Sequence, residues 1–167
     1  AKEKFFDDND ERMIFFCKGA IETVKKLGWM PDVVHRMGWM SSLVPMYLKT
    51  AYREDPMFKN TKVVYSVYEN CFTENLDKNL KTKALTPDMN ATDAALLKDS
   101  SCSSLHISAI NYSDAVIKAD ENIEASVLKF LNKQTDKLII EKTDHETFDF
   151  DNFVQFYDEV SVDLVTT

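Results

Sequence analysis

His35 stands out by its position among the residues able to do chemistry. The run Asp32-Val33-Val34-His35 stays extended and apolar until it meets the imidazole, then the chain turns through Gly38 and helical spacing restarts at Trp39. Strand, turn and helix in that order put His35 to Trp39 beyond the carboxyl end of a strand. Open parallel sheets gather ligands there, and helix N-termini offer unpaired N–H groups. An imidazole at that edge can donate to a sugar hydroxyl or a phosphate at neutral pH; the alternative is a satisfied, partly buried histidine that pins the turn. His106, between Leu105 and Ile107 in a helical pattern, reads as structural, and His145 in the acidic loop Thr143-Asp144-His145-Glu146 as solvated. Without a His-x-x-x-His or Cys-x-x-Cys pair, no metal site is expected.

Other chemistry is thinly represented. No Gly-x-Gly-x-x-Gly, Gly-x-x-x-x-Gly-Lys-Ser/Thr or Gly-x-Ser-x-Gly occurs, which removes the nucleotide fingerprints and the nucleophile elbow. Carboxylates are abundant, but their spacing does not bring two to one cleft. The clusters at Asp7–Glu11 and Asp144–Asp151 precede helices and suit their N-terminal dipoles. No catalytic residue is assigned. Met30, Met37, Met40 and Met46 crowd Trp29 and Trp39, and packing is favoured over a sugar-stacking surface.

The elements that must position His35 follow from periodicity. Asn9 or Asp10 can cap a helix with Met13, Ile14, Cys17, Ala20, Ile21, Val24 and Leu27 on its inner face and Gly28 closing it. A strand follows over Asp32–His35. A helix from about Trp39 to Tyr52 then buries Leu43, Val44, Tyr47, Leu48 and Ala51, with Pro45 tolerated in its first turns. Lys62–Tyr68 is too continuously β-branched and aromatic for a half-exposed strand, so a central position is predicted.

Residues 69–90 turn polar and read as a long surface excursion, mobile or ligand-touching. Helical spacing resumes at Thr92–Lys98 and again at Ser103–Tyr112. Strand Asp114–Ala119, helix Glu121–Lys133, strand Lys137–Glu141 and helix Asp151–Val160 follow, the last burying Phe153, Val154, Phe156 and Tyr157. This alternation predicts an α/β fold: a Rossmann-like parallel sheet with helices on both faces and right-handed crossovers.

The 167 residues, 44% hydrophobic, suffice for one core, so residues 1–167 are read as a single domain. A net charge of −8 disfavours nucleic acid as a partner. No run of about 18 apolar residues is present, so no membrane insertion is expected. Three widely separated cysteines fit a reducing, cytoplasmic setting, with Cys17 and Cys102 as helix-face packing residues. The opening, Ala1 leading directly into an acidic helix approach, reads as that of a fragment or a processed product.

Several blocks in a fixed order carry a family resemblance. They are Asn9-Asp-Glu-Arg12, Phe15-Phe16, Leu27-Gly-Trp-x-Pro-Asp-Val-Val-His35, Trp39, Leu43-Val-Pro-x-Tyr-Leu-Lys-Thr50 and Asp55-Pro-x-Phe-Lys-Asn-Thr-Lys-Val-Val64. Together they resemble bacterial glycogen synthase and plant starch synthase. Ala109–Val116 resembles more weakly the helix-to-strand segment that ends the N-terminal lobe. The overall shape is closer to short, single-lobe synthase-like proteins of the Bacteroidetes type.

The resemblance implies part of the N-terminal lobe of a two-lobe retaining glycosyltransferase that moves glucose from ADP-glucose, its donor substrate, to an α-1,4-glucan, with no further cofactor. It implies substrate-binding roles for His35, Gly38, Trp39 and Tyr68. The family's Lys-x-Gly-Gly-Leu loop and nucleotide-holding second lobe do not occur in these residues. Where the family usually reads His-x-His-Asp-Trp, this chain has His35-Arg36-Met37-Gly38-Trp39; where it reads Thr-Ile-His-Asn, this chain has Ser66-Val67-Tyr68-Glu69. A thioether cannot donate to a sugar hydroxyl. The chain alone is therefore expected to be inactive. The alternative is a non-catalytic relative, a pseudoenzyme that binds an α-glucan or a protein partner.

Overall fold

The computed structural model describes residues 5–69, 71–141 and 150–162. In chain order the elements are α1 (Asn9–Lys26), β1 (Val33–Met37), α2 (Leu43–Lys49), β2 (Lys62–Val67), α3 (Leu80–Ala84), α4 (Cys102–Asn111), β3 (Ala115–Lys118), α5 (Ala125–Leu131), β4 (Leu138–Glu141) and α6 (Phe150–Val162). The four strands form one parallel sheet in sequential order, β1-β2-β3-β4. His35 is in register with Val64, and Met37 with Ser66.

Alternation along β2 assigns the two faces. Val63, Tyr65 and Val67 pack into the cores built with α1, α2, α4 and α5, while Val64 joins Ala115, Ile117, Phe156 and Val160 beneath α6. A sequential strand order with crossovers of one hand carries the connecting helices to one face. The opposite face, including His35 and Ser66, is left to α6. The expected two-sided covering is thus present but unequal.

β2 is central, and from Val63 to Val67 every residue is buried. Asp114 locks the start of this strand: its Oδ2 accepts the Val63 N–H at 2.7 Å and pairs with Lys49 Nζ at 2.6 Å.

Local departures have physical causes. The single helix expected from Trp39 to Tyr52 is a 3-10 turn over Trp39–Ser41 followed by α2, with Pro45 in the first turn of α2, where an N–H would have no intrahelical acceptor. Thr92–Lys98 forms turns rather than a helix. Ala94 and Leu97 are still buried, so the apolar spacing there reports packing alone. Leu27 is 74% exposed, because α1 ends at Lys26 and Gly28 at φ +67° turns the chain away.

The polar excursion is anchored. Leu76, Leu80 and Ala84 enter the core, Tyr47 Oη donates to Ala84 O at 2.9 Å, and Lys83 bridges Asp10, Glu11 and Asp77. Asn9 and Asp10, either of which was expected to cap α1, both lie inside it, the cap position being Asp8, and Asp10 is a buried partner of Lys83. Met46 is buried as expected, but Trp29, Met30 and Met37 are each at least 60% exposed, so the methionine–tryptophan cluster is only partly a packed one. Val154 is 42% exposed. The acidic loop with His145, and the Phe153 side chain, lie outside the described residues.

Candidate functional site at the carboxyl edge of the sheet

Gly38, Trp39 and Tyr68 lie just past the carboxyl ends of β1 and β2, whereas His35, expected at the end of its strand, is the middle residue of β1, because the strand runs on to Met37. β1 ends at Met37, and Gly38 then takes φ 70° and ψ 170°, a combination reached essentially only by glycine. Its carbonyl accepts Tyr65 Oη–H at 3.2 Å, and Ser41 Oγ–H donates to Met37 O at 2.8 Å. Trp39 then turns inward, half-buried, and meets the edge of Phe72 with ring centroids 5.0 Å apart. Tyr68, just past β2, reaches back to Met37, its hydroxyl 3.7 Å from the sulfur.

His35 does not present a free nitrogen to this edge. Nδ1 lies 2.6 Å from Tyr157 Oη on α6, and Nε2 lies 2.7 Å from Ser66 Oγ. Burial, then the charge of Arg36, lowers its pKa from the ordinary value, so at neutral pH a neutral ring donates through one nitrogen and accepts through the other. A ligand taking a hydrogen bond from His35 must displace one of these partners. Of the two roles open from sequence, the pinning one is filled, tying β1, β2 and α6 together. Tyr157 was expected only as a buried face residue. Its pairing across 122 positions has no local signal.

A second cluster lies behind this edge. Tyr65, fully buried, has its hydroxyl 2.9 Å from His106 Nδ1. The hydroxyl thus lies between Gly38 O and His106 Nδ1 and links the two. Burial holds the His106 pKa down to about 4, against a smaller opposing effect from Glu124. His106 Nε2 is buried without a hydrogen-bond partner.

Beside it Cys71 and Cys102 form a disulfide, correcting the expectation of Cys102 as a packing residue: α4 begins at Cys102 with that side chain turned toward the excursion. Cys17 is the buried packing thiol expected. It donates to Met40 O, and burial raises its pKa to about 12. No local pattern marks Cys102 for a partner 31 positions away.

Away from the edge, a groove of about 540 Å³ runs along α1 past Phe15, Lys18 and Lys83 and shares no residue with residues 35–39. Among the described residues, no helix is long and apolar enough to cross a membrane.

Comparison with known proteins agrees with this architecture. Residues 1–141 match the family model of the starch synthase catalytic domain. The glycogen synthase of Clostridium perfringens is 28% identical over 136 residues, covering 81% of this chain and 28% of that protein; that of Desulforudis audaxviator is 40% identical over 75 residues, covering 45% and 15%. The chain thus spans less than a third of the length of these relatives. The catalytic domain of starch synthase IV from Arabidopsis thaliana, solved bound to ADP and acarbose, superposes with a TM-score of 0.60 at 13% identity over 83% of this chain and 31% of that one. At that identity the likeness speaks for the fold, and the family match over most of the chain speaks for descent: the chain belongs to the starch synthase catalytic-domain family of glycosyltransferases.

Proposed function

We propose that residues 1–167 form part of the N-terminal lobe of a glycogen or starch synthase-type glycosyltransferase, with ADP-glucose as donor and an α-1,4-glucan as acceptor, and that this chain alone binds glucan without transferring glucose to it. Gly38, Trp39 and Tyr68 would line the sugar-facing edge, and His35 would hold its floor. One observation carries the reading: the edge is parallel-sheet in architecture, but its outward groups are the 60%-exposed Met37 thioether and Tyr68, with both His35 nitrogens engaged inside. Sugar transfer needs donors fixed around a leaving diphosphate and an oxocarbenium-like centre, and losing them costs orders of magnitude in rate.

The test is incubation of the 167-residue chain with labelled ADP-glucose and glycogen, alongside co-sedimentation with glycogen. Binding without incorporation is the expected result. Measurable incorporation overturns the inactivity, and absent binding overturns the glucan-binding role. A second reading, a protein-interaction subunit, is favoured by the exposed apolar surface of Phe15 (79%), Trp29 (62%) and Met30 (66%). Loss of glycogen binding combined with a defined protein complex would select it.

A further inference from the structure

Cys71, Cys102 and His106 each offer one ligand atom, and all three atoms lie within 4.8 Å of one another. The three residues come from two segments. Cys102 and His106 are one helical turn apart on α4, and Cys71 comes from the stretch just after β2. We propose that in the reduced chain these residues form a three-ligand site for a thiophilic divalent cation of the zinc class, and that the Cys71–Cys102 disulfide is its closed, metal-free state.

The histidine is what distinguishes this cluster from an ordinary disulfide. His106 is 1% exposed, its Nδ1 is paired with the Tyr65 hydroxyl, and its Nε2 is buried with no protein partner. A metal-bound imidazole has the same arrangement, one nitrogen on the ion and the other N–H on an oriented oxygen. Here that oxygen is Tyr65 Oη, itself anchored on Gly38 O at the sheet edge. The donor set of two sulfurs and one imidazole suits tetrahedral zinc with one position left for water, which the exposed Cys71 side admits.

The chemistry balances with a thiol or phosphine reductant. Two electrons break the S–S bond while the reductant is oxidised, and the sulfurs take up two protons. A divalent ion then displaces those two protons and binds both thiolates. Tetrahedral bonds of about 2.3 Å place the sulfurs roughly 3.8 Å apart. From Cys71 to Asp77 the chain is free of helix and strand and can take up that opening. The site rests on none of the synthase reading.

The test uses the full chain, reduced with a phosphine that is then removed, and titrated with Co²⁺ as spectroscopic probe and Zn²⁺ as competitor. The expected result is one equivalent of cobalt with a thiolate-to-cobalt charge-transfer band and tetrahedral d–d bands, both abolished by Zn²⁺ and absent from the oxidised chain. Cys71→Ser, at an exposed position, should weaken the charge-transfer band and lower affinity about tenfold or more; His106→Gln should lower affinity comparably and shift the d–d bands. A reduced, folded chain that binds no cobalt, or binds it with a spectrum unchanged by Cys71→Ser, overturns the proposal.

Discussion

Replacing Gly38 by alanine tests the turn on which the candidate site is built. At φ 70° and ψ 170° a Cβ costs about 1–3 kcal/mol in backbone strain alone. Alanine also reduces the freedom of the unfolded chain, an opposing effect of about 0.4–1 kcal/mol. Relief of the strain would rotate the Gly38 carbonyl, which accepts the hydroxyl of the fully buried Tyr65, and a lost buried hydrogen bond adds about 1 kcal/mol. The net destabilisation is about 2 kcal/mol. For a domain of this size each kcal/mol moves Tm by about 2–4 °C, so the melt should fall by about 4–8 °C.

Gly19→Ala is the matched control. It lies in the middle of α1, and a Cβ there meets nothing within 4 Å, so helix propensity should stabilise the variant by about 0.5–1 kcal/mol. Circular-dichroism melts of both variants, at one redox state, give the comparison. Gly38→Ala melting at or above the wild type while Gly19→Ala rises would refute the turn conformation, and with it the arrangement of residues 35–39.

Reduction of Cys71–Cys102, which closes a 31-residue separation, should cost up to about 3–4 kcal/mol by loop entropy, read as a lower melting temperature in reductant that Cys71→Ser reproduces in the oxidised protein. Tyr157→Phe leaves a His35 nitrogen unpaired and should destabilise by about 1–3 kcal/mol, measured by urea unfolding, without changing glycogen co-sedimentation; unchanged stability would show that the His35 pin is not formed. The folded His35 pKa lies below its ordinary 6.5, so the unfolded chain binds a proton the folded chain refuses. This contribution to stability is complete above pH 6.5 and is lost as pH falls through the window beneath it. His35→Gln should flatten that part of the stability-against-pH curve, and an unchanged slope would contradict it. Lys83→Met strips the partner from the buried carboxylate of Asp10 and should lower Tm more than Arg53→Met, whose pair is exposed on both sides.

The sequence by itself determined what depends on local period. The spacing of Met13, Cys17 and Ile21 made α1, the unbroken run Lys62–Tyr68 made a doubly covered central strand, and helix–strand alternation made a parallel sheet. These follow from which neighbours three, four or two positions away share a face. The Gly38 turn after the Asp32–His35 strand likewise placed Gly38 and Trp39 at the sheet edge, although the strand itself runs on to Met37 and keeps His35 inside it.

Only the tertiary structure decided where polar groups spend their hydrogen bonds. His35 could have faced a ligand; Tyr157, on a helix packed across the other face, and Ser66, on the adjacent strand, took both its nitrogens instead. The excursion after Glu69 read as mobile or ligand-touching because it lacks period; its contacts through Leu76, Leu80, Lys83 and the bond from Cys71 to Cys102 had no local signal. Partner choice between residues tens of positions apart depends on how elements dock, and no local pattern encodes that. The pairing of His106 Nδ1 with Tyr65, 41 positions away, is decided the same way.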